Sequence, residues 1–237
     1  MEHQKEGLRW MKAMEESARK GGILADDMGL GKTIQALALT VVHPAPSVER
    51  HATLVVTPAG LISQWKHEIE QLLNQGHRRH RVFVYHGDKT GRTGTFHLLN
   101  QHDIVLTTFG TVAAELRRTC HRPSAHSTIP SDPGLSILGP VSKWHRVILD
   151  EAQCIKNDRS KTAMACCAID ATYRWCLSGT PLMNDPRELT SLFKFLRVQG
   201  FCNTDPFNPV SPPNGNPAPD VRCLWFFLSC FGYFQPA

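Results

Sequence analysis

The sequence has little of what marks a secreted, metal-stapled or membrane-spanning chain. Its eight cysteines include no Cys-x-x-Cys pair, so zinc-finger spacing is absent and no even framework of the small secreted kind is present. They read as reduced thiols of an intracellular protein. No apolar run approaches the roughly 20 residues of a spanning helix; the densest, Cys223 to Phe234, is far shorter. The first residues, Met1-Glu2-His3-Gln4-Lys5-Glu6, carry charge where a signal peptide would be apolar. No membrane association is expected. Charge of one sign is also scarce, since a net +5 is a weak pointer to polyanions. Histidine is plentiful, yet His77, His80, His86, His121 and His126 lack cysteine or carboxylate partners at metal spacing, and solvated surface positions are expected. No solenoid repeat is visible.

What is present is ordinary globular material: 237 residues, 41% hydrophobic and 20% charged, enough for one large α/β domain. Strand-like and helix-like segments alternate, the pattern of parallel β-α-β units. Leu8, Met11, Met14 and Ala18 recur at helical spacing, Gly22 to Ala25 is a short apolar strand, and Ile34, Leu37, Ala38 and Val41 continue as a helix. Leu54 to Val56 is the next strand, followed by a helix with Leu61, Ile62, Trp65, Ile69, Leu72 and Leu73 on one face. Arg81–Tyr85, Asp103–Thr107, Val147–Leu149 and Tyr173–Leu177 supply four more strands, and Leu189, Leu192, Phe193 and Leu196 a last helix. The expected fold is a mainly parallel sheet with helices on both faces over residues 1–200. Ser, Pro, Gly and His break the rhythm between strands four and five, which predicts a surface insertion at 118–140. Six prolines between 206 and 219 and the aromatic run after them predict an irregular, poorly ordered tail at 201–237.

Each polar motif falls at the carboxyl end of a strand, where open α/β sheets bind their ligands. The strongest is Asp26-Asp27-Met28-Gly29-Leu30-Gly31-Lys32-Thr33. Gly29 and Gly31 let backbone N–H groups turn toward a phosphate, Lys32 can reach the β- and γ-phosphates, and Thr33 can hold Mg²⁺. Asp26 stands where the generic phosphate loop has its first glycine, and a purely structural glycine turn is the competing reading. The second motif is Asp150-Glu151-Ala152-Gln153. There Asp150 can bind the Mg²⁺ of a nucleotide and Glu151 can polarise the attacking water. An isolated Asp-Glu pair is common; joined to the loop it points to metal-assisted phosphoanhydride hydrolysis. A small-molecule kinase would also fit Lys32 and Thr33, but not Ser178-Gly179-Thr180-Pro181.

With these motifs in order, the chain resembles the amino-terminal, RecA-like lobe of the Swi/Snf-type DNA translocases of helicase superfamily two. His3 to Met11 looks like the Q motif, Ile23 to Gln35 motif I, Leu54 to Ile69 motif Ia, Asp150 to Gln153 motif II and Leu177 to Asn184 motif III. Asp26-Asp27 and Asp150 to Asn157 are most similar to the branch with the helicase-like transcription factor and the fungal RAD-type repair ATPases. The resemblance covers residues 3 to about 200 and implies a nuclear, DNA-dependent ATPase of chromatin remodelling or DNA repair, with ATP and Mg²⁺ as cofactors and double-stranded DNA or chromatin as partner. It further implies that Gln4 reads adenine and that Asp27 to Thr33 cradle the phosphates. Thr33 and Asp150 would hold Mg²⁺, and Lys32, Asp150 and Glu151 would be catalytic, with Glu151 the base. Ser178, Gly179 and Thr180 would couple nucleotide state to lobe movement. Thr57, Pro58, Thr107 and Thr108 would touch the DNA backbone, contacts that carry no sequence preference.

Gln153 departs from the histidine of most relatives, and Arg78, Arg79 and Arg81 form a basic run that reads as a solvated loop. After Phe201 the match fades. The second lobe with its arginine finger, and the RING module frequent in this branch, are not found in these residues. A fragment of a longer motor is therefore expected, the alternative being a short product that binds ATP or DNA without turnover.

Overall fold

A computed structural model of the chain describes residues 1–73, 80–86, 95–120, 137–180 and 187–198. Its strands are β1 (Gly21–Leu24), β2 (Thr53–Thr57), β3 (Val82–Tyr85), β4 (Ile104–Thr108), β5 (Lys143–Asp150) and β6 (Asp170–Leu177). Among the described residues they make one sheet in the order β1-β6-β5-β2-β4-β3, and every pairing is parallel. Parallel strands need crossovers, supplied here by α2 (Lys32–Val42), α3 (Ile62–Leu73), α4 (Phe96–Leu99), α5 (Phe109–Cys120) and α6 (Lys161–Ala168), while α1 (Glu2–Glu16) precedes β1 and α7 (Arg187–Phe195) follows β6.

The two-residue period of the strands divides the core. Leu54, Val56, Val105, Val147, Leu149 and Cys176 face the side covered by α4 to α7. Val55, Ile104, Leu106, Ile148, Trp175 and Leu177 face α1, α2 and α3, which bring Met11, Met14, Ala36, Leu37, Trp65 and Ile69. Both faces are apolar, as expected of a parallel sheet covered on both sides, and each fully buried side chain of this size stabilises the fold by about 1.5–3 kcal/mol.

The apolar centres of the expected elements lie where the sequence indicates, but several extents differ. β5 begins four residues before Val147, because Trp144, His145 and Arg146 are buried with the rest of the strand. β6 likewise starts at Asp170. The helices α5 and α6 were not read from the sequence. The expected 118–140 surface insertion needs correction at both ends: residues 118–120 belong to α5, and Ile137 and Leu138 are buried. Their N–H groups donate to Glu115 Oε2 at 2.9 and 3.3 Å, and the Trp144 indole donates to the Ile137 carbonyl at 3.1 Å. His77, Arg78, Arg79, His121, His126, Pro181 to Asn184 and the 201–237 tail lie outside the described residues. Arg81 forms an ion pair with Asp103 at 3.8 Å.

Gly21 is a position the sequence did not single out. Its φ is +148°, and a Cβ there would sit 1.8 Å from the carbonyl oxygen of Arg174, its register partner on β6. Gly21→Ala must push β1 off β6 at the root of the phosphate-loop strand. We expect it to destabilise the chain by about 2 kcal/mol or more, measured as a lower urea midpoint; an unchanged midpoint would refute this.

Candidate nucleotide site

Because all strands are parallel, the loops after β1, β5 and β6 emerge at one edge, and these three strands are neighbours. The β1 loop runs into α2 with Gly29 and Gly31 both left-handed, at φ +86° and +81°. At Gly31 the backbone angle favours glycine, and a Cβ would meet the end of the Gln4 side chain, 2.4 Å from Nε2. Lys32 and Thr33 open α2, whose unpaired N–H groups and positive dipole end favour an anion. Lys32 Nζ donates to the carbonyls of Asp26 at 2.7 Å and Asp27 at 3.0 Å. Gln4 Nε2 donates to the Leu30 carbonyl at 3.2 Å, and His3 Nε2 lies 3.2 Å from the same oxygen. Gln4 is therefore seen bracing the loop.

Asp150 ends β5 almost fully buried. Its Oδ2 accepts the Trp65 indole N–H at 2.7 Å and the Thr57 hydroxyl at 3.0 Å, while Oδ1 accepts the Glu151 N–H at 3.0 Å. Burial pushes the Asp150 carboxyl above its ordinary value, and the bonds from Trp65 and Thr57 oppose that shift. Oδ2 thus has both lone-pair directions occupied, whereas Oδ1 keeps one open. Glu151 follows in a left-handed conformation, φ +51°, a costly angle for a residue with a side chain.

A hydrogen-bonded chain joins Glu151 to the loop after β6. Gln153 Nε2 donates to Glu151 Oε2 at 2.6 Å, Ser178 Oγ donates to Gln153 Oε1 at 2.9 Å, and the Thr180 N–H donates to Ser178 Oγ at 3.1 Å. Ser178 N–H also donates to the Leu24 carbonyl at 3.2 Å, at the root of the phosphate loop. A Cβ on Gly179 would lie 2.9 Å from Met28 Cγ and 3.6 Å from Lys32 Nζ. The Ser-Gly-Thr loop is therefore hydrogen-bonded to the acidic motif, and a side chain at 179 would crowd Met28 beside Lys32.

These parts open on a cleft of about 650 Å³ whose lining includes Gly29, Lys32, Thr33, Trp65, Asp150 and Glu151. Of the lysines and arginines among the described residues, Lys32 alone lines it, against the carboxylates of Glu68, Asp150 and Glu151. A negative ligand entering this cleft must bring positive charge with it.

A family model described as the SNF2-related domain matches residues 3–212. The chain belongs to the SNF2-related domain family. This SNF2-related lobe is 45% identical over 228 residues to an uncharacterized ATP-dependent helicase of Schizosaccharomyces pombe, covering 94% of the lobe's chain and 22% of that protein. It is 36% identical to the ATP-dependent helicase ULS1 of Saccharomyces cerevisiae, covering 84% and 13%, and 35% identical to the DNA repair protein RAD5 of Candida albicans, covering 84% and 18%. The chain thus spans about a fifth or less of the length of these relatives. Among solved structures, it is similar to the Sulfolobus solfataricus SWI2/SNF2 ATPase core in complex with dsDNA, with TM-score 0.64 and 28% identity over 83% of this chain and 35% of that one. The RecA-like, doubly covered parallel sheet is that of the ATPase core.

In the SNF2-related lobe, Gly29, Gly31, Lys32, Thr33, Asp150 and Glu151 meet in one cleft, with Met28. The residues expected at DNA differ. Thr57, Thr107 and Thr108 are buried: the Thr57 hydroxyl serves Asp150, Thr107 Oγ1 donates to the Tyr85 carbonyl at 2.8 Å, and Thr108 Oγ1 lies 2.9 Å from Thr111 Oγ1. The hydroxyls of these three threonines are thus engaged in internal bonds, and at this edge Pro58 is half-exposed. Trp65 and Gln153 were not among the expected site residues. For Gln153 the signal was present, a polar amide two positions after Glu151; Trp65 read as core, and only the fold puts its N–H on Asp150.

Proposed function

We propose that this SNF2-related lobe binds Mg-ATP and forms the nucleotide-binding wall of a nuclear, DNA-dependent ATPase motor acting on double-stranded DNA in chromatin remodelling or DNA repair. The observation that carries this reading is the convergence of Lys32, Thr33, Asp150 and Glu151 on one cleft. Lys32 would exchange its two loop carbonyls for phosphate oxygens. The residues present suit a magnesium ion held partly by its nucleotide: among the described residues no cluster of three or more His, Cys, Asp or Glu forms a cage of its own, and Mg²⁺ takes few protein ligands beside phosphates and water. Thr33 and the open side of Asp150 Oδ1 would hold it, directly or through water. Once bound, the ion would neutralise negative charge on the transferring phosphoryl group. Glu151, anchored by Gln153, would accept a proton from the attacking water. The names of the relatives, ATP-dependent helicases and a DNA repair protein, and the duplex DNA in the similar ATPase core support the choice of partner.

The test is titration calorimetry of Mg-ATP into the chain. Lys32→Ala removes a charge-assisted contact worth about 1.5–3 kcal/mol and is expected to weaken binding on the order of 10- to 100-fold. Equal affinity of wild type and variant would end the reading.

A further inference from the structure

The generic phosphate loop begins with glycine, and this chain has Asp26 there. The backbone does not demand glycine at that point, because Asp26 is not among the residues with positive φ. Its side chain has a partner instead. Gln35, one turn into α2 and only 1% exposed, donates from Nε2 to Asp26 Oδ2 at 2.7 Å. The amide orientation follows from the contact, since the reverse placement would set oxygen against oxygen. Gln35 Oε1 is left buried without a partner, so the amide gives up one hydrogen bond, at a cost to the fold, while it holds the carboxylate.

The same Asp26 supplies one of the two carbonyls that receive Lys32 Nζ, and Asp27 supplies the other. A side-chain bond from the first turn of α2 thus fixes the very peptide segment on which the Lys32 ammonium rests.

We propose that Asp26 and Gln35 are a positioning pair for Lys32: their bond fixes the Asp26–Asp27 carbonyls, which hold the ammonium at the mouth of the loop, ready for phosphate. The pair replaces, with a hydrogen bond across the loop, the conformational freedom that glycine would give. The proposal rests on the reading that this loop binds Mg-ATP. It makes a directional demand, because what matters is a donor facing an acceptor between positions 26 and 35.

The experiment is Mg-ATP calorimetry on the 237-residue chain, with thermal melting of every variant. Gln35→Glu sets two carboxylates against each other and is expected to weaken Mg-ATP about tenfold. Adding Asp26→Asn restores a donor and an acceptor with the polarity reversed, and is expected to return the affinity to within about threefold of wild type, which loss of packing alone would not do. Asp26→Ala, at a half-buried site, provides a variant that keeps the fold if Gln35→Glu does not, and is also expected to bind about tenfold more weakly. Lys32→Ala separates the two readings. If it binds as wild type does, the nucleotide reading fails and this proposal falls with it. If Lys32→Ala loses binding while Asp26→Ala keeps wild-type affinity, or Asp26→Asn fails to rescue Gln35→Glu, the positioning role alone is overturned.

Discussion

Joined in one polypeptide to a second lobe that carries an arginine finger, the SNF2-related lobe is expected to hydrolyse ATP on the order of 10³–10⁵ times faster than the 237-residue chain does. The cleft geometry sets this expectation. Negative charge develops on the γ-phosphoryl group in the transition state, and groups aimed at that charge in a water-excluded site contribute most to the rate. Among the described residues the cleft offers one such cation, Lys32, on one wall, facing three carboxylates. Lys32 can hold the ground state and Glu151 can orient a water, but a single wall neither excludes solvent nor encloses the transferring group. Glu151→Gln in the joined protein is expected to remove turnover by at least about 10²-fold while Mg-ATP binding persists, since general-base catalysis supplies a factor of that order. Phosphate release with and without duplex DNA is the measurement. Robust DNA-stimulated turnover by the 237-residue chain alone would show that the described wall suffices.

The site was legible in the sequence where chemistry is local, and not where it depends on partners distant along the chain. Lys32 and Thr33 could be read because a glycine-framed loop between an apolar strand and a helix has few other uses. Asp150 and Glu151 could be read because they follow Val147-Ile148-Leu149 directly. For Thr57, Thr107 and Thr108 the resemblance implies contact with the DNA backbone, and nothing local in the sequence shows what their hydroxyls bond. Their acceptors and neighbours were invisible: Asp150 lies 93 residues from Thr57, and Tyr85 lies 22 from Thr107. Strand extents failed for the same reason. His145 and Arg146 broke the apolar run that marks a buried strand, and nothing near them in sequence satisfies Arg146. Helix α5 is a different case, since Phe109, Val112, Ala113 and Leu116 recur at helical spacing and could have been read.

The partner of Arg146 is Glu15, on the helix that carries Gln4, and this pair gives the largest expected stability effect. Arg146 Nε and a terminal nitrogen donate to the two Glu15 oxygens at 2.6 and 2.7 Å, with the residues 1% and 0% exposed. Trp175 Nε1 donates to Glu15 Oε1 at 2.9 Å, His43 Nδ1 lies 2.5 Å from Oε2, and Arg146 also reaches the His43 carbonyl at 2.9 Å. One end of α1 is thereby tied to β5, whose far end is Asp150, while its other end braces the phosphate loop. Removing one partner leaves a buried charge alone, which costs about 3–5 kcal/mol, a large share of the 5–15 kcal/mol typical of a domain. Arg146→Met is therefore expected to cut unfolding free energy by about that amount at pH 7. Glu15→Leu added to it should recover only part, since Trp175 and His43 then lose their acceptor.

The pH dependence separates this account from a simple packing loss. Burial alone would raise the Glu15 carboxyl; the hydrogen bond and charge of Arg146, with His43 and Trp175, hold it below the ordinary value. In the wild type its contribution is present above the unfolded-state value and is lost as pH falls through the folded one. His145 acts in the same direction, its value lowered to about 4 by burial and by the charge of Arg146, so stability falls as pH drops from about 6.5 toward 4. Glu115 and Asp150, raised by burial, contribute in the opposite sense in both proteins and cancel in the comparison. Without Arg146 the Glu15 carboxyl rises and takes up a proton in the folded state, and His145 loses a neighbouring charge. The penalty of Arg146→Met should then shrink as pH falls below neutral. Urea unfolding at pH 7 and pH 5 decides it: a penalty under about 1 kcal/mol at pH 7, or one that stays the same at both, would mean that the buried pair does not tie α1 to the sheet.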